Sequence, residues 1–144
     1  MTTVSFEIQV PMRASLSEVW LALIDWASHG DWIPATRSRI LSGEGGLGTE
    51  FEAVSGYGPL ALVDRMRVAT FEPQRASVGI EKVGPVLGGV AGFTLTEVPE
   101  GCVVNWYERV TVPHLPGALA PIAGRVGAVM FRWAIRRLDA KLRH

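Results

Sequence analysis

Gly117-Ala118-Leu119-Ala120-Pro121-Ile122-Ala123-Gly124-Arg125-Val126-Gly127-Ala128-Val129-Met130-Phe131-Arg132-Trp133-Ala134-Ile135-Arg136-Arg137-Leu138-Asp139-Ala140-Lys141-Leu142 is the stretch that decides the fold. Its prolines are confined to the start, where a helix tolerates them. At about 100° per residue, Leu119, Ile122, Val126, Val129 and Trp133 gather on one side. Phe131, Ile135, Leu138 and Leu142 gather almost opposite, and Arg125, Arg132, Arg136 and Arg143 form a third, basic stripe. A long helix with two apolar sides needs more than one flat surface to cover it. Laid over a curved sheet it encloses space. This predicts that the first half, about Leu119 to Trp133, roofs a cavity, while the second half packs on the sheet edge or on a partner.

Working outward, the rest of the chain reads mostly as strands. Val4, Phe6, Ile8 and Val10 alternate with Thr3, Ser5, Glu7 and Gln9, a strand with one buried face that Pro11 ends. Ser15 and Glu18 form a capping box, so a helix begins there with Leu16, Val19, Trp20, Leu23 and Ile24 inward. His29-Gly30-Asp31-Trp32-Ile33-Pro34 reads as a short second helix or turn stopped by proline. Strands are expected near 35–43, 48–55, 60–72, 74–82, 88–98 and 101–112, separated by glycine and proline. Short connections imply an antiparallel sheet. Helices segregated to one face make the class α+β.

Composition narrows the function. The 144 residues are 48% hydrophobic, enough for a sizeable core, and are expected to form one domain over 1–144. The 14 basic and 14 acidic residues balance, which argues against nucleic acid as a partner. The single cysteine, Cys102, has no partner for an internal disulfide and reads as a packed thiol in a reduced, cytoplasmic protein. The first ten residues lack the pattern of a signal peptide. Arg125 and Arg132 interrupt the most apolar stretch, so no integral membrane segment is expected.

Strand alternation exposes two misplaced charges. In 60–72 the apolar face holds Leu60, Leu62, Asp64, Met66 and Val68; in 101–112 it holds Cys102, Val104, Trp106, Glu108, Val110 and Val112. A buried carboxylate is costly, so Asp64 and Glu108 stand out as polar points in an apolar interior. The ordinary alternative is pairing with Arg37, Arg39 or Arg109, or rotation to solvent at a bulge. The inward sets elsewhere are Phe51 and Ala53, then Ala76, Val78 and Ile80, then Phe93 and Leu95. Gly43-Glu44-Gly45-Gly46-Leu47-Gly48 matches a dinucleotide fingerprint in letters, but a strand follows it where the fingerprint needs a helix. The three histidines, His29, His114 and His144, are far apart, so neither a metal nor another cofactor is expected. His114, between the last strand and the last helix, is placed to border a cavity mouth. Gly84 to Gly92 reads as an apolar, glycine-rich lid.

The layout resembles the START-like, or SRPBCC, superfamily with its helix-grip fold, and within it the bacterial polyketide cyclase/dehydrase-like branch. The residues that carry the likeness are Ser17-Glu18-Val19-Trp20, His29 to Pro34, Gly46-Leu47-Gly48-Thr49-Glu50-Phe51, Asp64 to Val68, Phe93-Thr94-Leu95-Thr96 and Val104-Asn105-Trp106-Tyr107-Glu108. The resemblance implies a curved six- to seven-stranded antiparallel sheet wrapped around the C-terminal helix. It also implies a hydrophobic cavity between the two. The first functional expectation is a binder or carrier of an apolar small molecule: a lipid, a polyketide-like aromatic or an isoprenoid. Phe51, Leu62, Met66, Phe93, Trp106, Val126 and Met130 would bound the cavity, with Asp64, Glu108 or Arg65 orienting the ligand's polar end. The second is an aromatase/cyclase catalysing aldol closure and dehydration, for which Asp64, Glu108, Tyr107 and His114 are the available proton-transfer groups. The third is a regulatory interaction module of a stress or toxin–antitoxin pair, for which the arginine stripe is the only sequence hint; a homodimer is a separate alternative for the partner.

Overall fold

In the computed structural model, residues 1–143 are described; His144 lies outside them. Strand β1 (Thr2–Met12) leads into helix α1 (Leu16–Leu23) and a 3-10 segment at Trp26–Asp31. Strands β2 (Thr36–Ser42), β3 (Glu50–Ser55), β4 (Leu62–Glu72), β5 (Ser77–Pro85), β6 (Gly88–Val98) and β7 (Gly101–Val112) follow, then helix α2 (Ala120–Leu142). The seven strands form one antiparallel sheet in the order β1-β7-β6-β5-β4-β3-β2. The last strand therefore pairs with the first, and the two sheet edges are β1 and β2.

The local chemistry explains most boundaries. The Ser15 hydroxyl accepts the Glu18 amide at 3.2 Å, and the Ser15 amide donates back to the Glu18 carboxylate at 3.3 Å, closing the capping box. Val19 and Leu23 are fully buried beneath it. Pro11 does not end β1: it pairs with Val103 and the strand runs on to Met12. An edge strand leaves one row of amides unbonded, so a proline there forfeits nothing. Leu60, expected inward, instead sits in a 3-10 turn before β4 and is 89% exposed.

The expected lid at Gly84–Gly92 is a tight hairpin: Val83 pairs with Gly88, and 88–92 belong to β6. Gly88, Gly89 and Gly92 serve close packing. A Cβ on Gly92 would lie 2.6 Å from the Tyr107 hydroxyl and 2.6 Å from the Val78 carbonyl oxygen. The 43–48 glycines form the loop between β2 and β3, where Gly45 accepts the Trp26 indole N–H at 2.8 Å.

Helix α2 crosses the concave face with its C-terminal half pinned by Ala134, Ile135 and Leu138, all buried. Its N-terminal half comes close to β1 because Gly124 and Gly127 are small. A Cβ on Gly124 would sit 2.8 Å from the Ser5 carbonyl oxygen, and Gly127 faces the Phe6 ring. Asp139 ties the helix to the β1–α1 corner. Its carboxylate accepts the amides of Arg13 at 3.1 Å and Ala14 at 2.9 Å. Replacing Asp139 with alanine orphans these donors and should cost about 1–3 kcal/mol in urea unfolding, with asparagine costing less. An unchanged midpoint in the alanine variant would show that the tie is not needed.

One expectation about α2 is overturned. Leu119, Ile122, Val126, Val129 and Trp133 do not face the sheet; they are 44–69% exposed. The opposite stripe, with Phe131, Ile135 and Leu138, turns inward along the whole length. The close approach to β1 at Gly124 and Gly127 fixes the helix's rotation, and helical periodicity alone cannot choose between two apolar stripes.

Candidate functional site

The inner face of the sheet is an aromatic floor. Phe93 and Trp106 are cross-strand partners. Their rings stack at 5.5 Å, and Phe131 of α2 stacks on Trp106 at 5.2 Å. Trp26 stacks on Phe51 at 4.7 Å. This floor holds the helix away from β3–β5 while the glycines let it close on β1. The result is a cavity of about 310 Å³ on the β3–β5 side. Phe51, Ala53, Leu62, Met66, Ile80 and Ala91 wall it from the sheet, Met130 and Phe131 from α2, and His29 and Ile33 from the segment after α1.

Into this apolar space project Asp64, Lys82, Trp106 and Glu108. The Lys82 ammonium donates to Asp64 Oδ2 at 2.6 Å and lies 3.8 Å from Glu108 Oε1. Only 6% of the Lys82 side chain is exposed, against 13% of Asp64 and 14% of Glu108. The Trp106 indole N–H donates to Glu108 Oε2 at 3.1 Å. Asp64 Oδ1 is buried and has no partner among the described residues. Burial pushes the Glu108 carboxyl above the usual carboxylate range, and the Asp64 charge adds to this. Lys82 and the Trp106 hydrogen bond oppose the shift without reversing it. The cluster thus combines a lysine–aspartate ion pair with a carboxyl that burial biases toward its neutral, proton-donating form.

Of the sequence-selected residues, Phe51, Leu62, Asp64, Met66, Trp106, Glu108 and Met130 surround this one cavity. Phe93 lies beneath it, fully buried against Trp106. Val126 points to solvent. Arg65 is on the convex face, where with Arg39 it holds Glu52 at 3.3 and 2.7 Å. Arg39 therefore serves Glu52, and the cation beside Asp64 and Glu108 is Lys82. Tyr107 is on the opposite face of β7 from Glu108. His114 is exposed in the turn after β7 and does not line the cavity.

Lys82 and His29 were missed by sequence reasoning. The signal for Lys82 was present: Val78, Ile80 and Lys82 share one parity, and all three side chains are buried. His29 is buried beside Phe51 and Trp32, its Nε2–H donating to the Leu23 carbonyl at 2.8 Å. Burial lowers its pKa, so it is neutral and Nδ1 carries no proton. Cys102 is free and buried, its thiol pushed up to about 11 chiefly by burial. Among the described residues, no group of three or more His, Cys, Asp or Glu is placed to hold a metal ion.

A curved antiparallel sheet gripping a long helix over an apolar cavity defines the START-like, or SRPBCC, class. Within it, the chain belongs to the family described as polyketide cyclase / dehydrase and lipid transport, whose model matches residues 1–143. Membership places it among folds that bind hydrophobic ligands. Among solved structures it is similar to Ara h 8.0201, with a TM-score of 0.71 at 12% identity over 97% of both chains. It is also similar to protein CV1439 from Chromobacterium violaceum, with a TM-score of 0.72 at 12% identity over 95% of this chain and 96% of that one. At that identity the likeness concerns the fold alone. No curated protein sequence matches this chain significantly.

Proposed function

We propose that the protein binds a compact apolar molecule carrying one hydrogen-bonding end, such as a polyketide-like aromatic or an isoprenoid. The observation that carries this is a cavity whose walls are apolar except for one buried Asp64–Lys82–Glu108 cluster. Apolar walls supply affinity and a few convergent polar groups set orientation. At about 310 Å³ the cavity is at the small end for ligand sites, which favours a ring system or short chain over a long acyl lipid. A ligand hydroxyl would donate to Asp64 Oδ1, and a ligand carbonyl would accept from Glu108 or Lys82.

Native mass spectrometry after mild purification should show a co-purifying lipophilic mass. Ala91→Trp, which fills the cavity, should abolish it together with binding of a fluorescent apolar probe. Unchanged probe binding in that variant would place the ligand elsewhere.

The Glu108 shift sets a sign for pH. Its folded-state pKa lies above the unfolded value, so folding favours the protonated form. That contribution is present below the unfolded pKa and is lost as pH rises through the folded pKa. Affinity for a carbonyl-bearing probe should fall across the same window. Glu108→Gln, which cannot ionise, should flatten both profiles; a profile identical to wild type would mean that Glu108 is not the titrating group.

A second reading is an aldol cyclase or dehydratase. It is favoured by Glu108, an acid biased toward its protonated form, and Asp64, an acceptor with a free oxygen, meeting at one lysine. Turnover of a poly-β-ketone that is lost in both Glu108→Gln and Asp64→Asn would establish it.

A further inference from the structure

The outward stripe of α2 has no task in the cavity. Leu119, Ile122, Val126, Val129 and Trp133 recur at alternating spacings of three and four and fall within about 80° of one another around the helix. All five are exposed, and only 17% of the helix's most apolar 18-residue window is buried. Length and composition would let Gly117–Leu142 cross a membrane. Its inner face, however, is committed to the sheet through Ala134, Ile135 and Leu138. A helix with one face packed on protein and an apolar stripe outward is suited to lying on a surface.

The charges say which surface. On one flank of the stripe run Arg125, Arg132, Arg136 and Arg143; on the other are Arg137 and Lys141. Arg137 sits over the Trp133 ring at 5.5 Å. The helix has a single acidic residue, Asp139, and it is buried on the Arg13 and Ala14 amides. A second copy docked stripe to stripe would set arginine rows against each other in either orientation, with no exposed acidic side chain on the helix to answer them. An anionic lipid surface answers both features. It takes the apolar side chains into the headgroup boundary, and it pairs with the flanking cations. A tryptophan with an arginine beside it suits that interface.

We propose that α2 docks this protein onto anionic membranes through Leu119, Ile122, Val126, Val129 and Trp133, with Arg125, Arg136, Arg137 and Lys141 meeting the headgroups. The helix starts at the sheet end where β7 finishes, the end that also carries the cavity-lining Leu62 and Leu87 and the exposed Leu60 and Val86. Docking therefore brings the cavity end of the sheet to the bilayer.

Flotation of the full chain with phosphatidylcholine vesicles, with and without phosphatidylglycerol, tests this directly. The protein should float with the anionic vesicles and detach as salt rises. Val126→Glu/Val129→Glu should weaken binding by more than about tenfold, because two exposed apolar side chains that would enter the headgroup boundary become charged. Arg125→Gln/Arg136→Gln should weaken it roughly thirtyfold at low salt, at about 1 kcal/mol for each basic residue near the surface. All four side chains are solvent-facing, so circular dichroism should confirm unchanged folds. Failure to float with anionic vesicles overturns the proposal, as does equal binding by the valine variant. A dimer in light scattering that Val126→Glu/Val129→Glu dissolves would also overturn it and assign the stripe to a second copy.

Discussion

Lys82→Met should cost about 3–5 kcal/mol, the expected loss when one member of a buried ion pair is removed. Lys82 is the cation between Asp64 and Glu108, and all three side chains are largely buried. Methionine keeps the unbranched stem but leaves Asp64 a buried carboxylate with no opposing charge. Glu108 also loses the cation that opposes its burial, so its carboxyl should titrate higher still. Such a loss is a large share of the roughly 5–15 kcal/mol that stabilises a typical domain. The informative measurement is a urea double-mutant cycle. Asp64→Asn/Lys82→Met removes the orphaned charge and should recover much of the stability, while ligand orientation should not recover. A Lys82→Met variant as stable as wild type would mean that water reaches the cluster and that it is not desolvated.

The second large effect is expected at Phe93. Its side chain is fully buried, stacks on Trp106, and also contacts Trp20 at 6.0 Å and Trp26 at 6.3 Å between ring centroids. Truncation to alanine should cost about 3–5 kcal/mol, from lost transfer energy plus the void left in a rigid aromatic floor. Phe93→Leu fills most of that volume and should cost less. The functional consequence is indirect. Trp106 positions Glu108 through its indole N–H and supports Phe131. Phe93→Ala should therefore weaken probe binding although Phe93 does not line the cavity. Unfolding midpoints and probe titration on the same samples separate the two effects. Probe affinity equal to wild type in a folded Phe93→Ala protein would show that Trp106 is held by other neighbours.

Much of the site was legible because strands alternate with period two. Asp64 and Glu108 could be read as inward charges from Met66, Val68, Val104 and Trp106 around them. Their partner was not read, although Lys82 continues the parity of Val78 and Ile80. Periodicity names a face, but which charges on three strands meet depends on register. The register here includes shifts between β4 and β5 near Arg65 and Val68. Tyr107 and His114, the other proton-transfer candidates, do not line the cavity for simple reasons: one has the opposite parity to Glu108, and the other is exposed in the turn after β7.

By itself, then, the sequence determined the α+β class, the order of elements and the inward face of nearly every strand. Those follow from local rules: capping at Ser15, alternation in the strands, and glycine or proline between them. It also determined that α2 would carry two apolar stripes. Only the tertiary structure decided which stripe turns inward. That choice rests on Gly124 meeting the Ser5 carbonyl, Phe131 stacking on Trp106, and Asp139 reaching the Arg13 and Ala14 amides. Each is a contact between residues more than twenty positions apart in the chain. A helix's own periodicity is indifferent to rotation about its axis, so nothing local could supply that answer. The rotation leaves Met130 and Phe131 over the cavity and turns Val126 and Val129 outward.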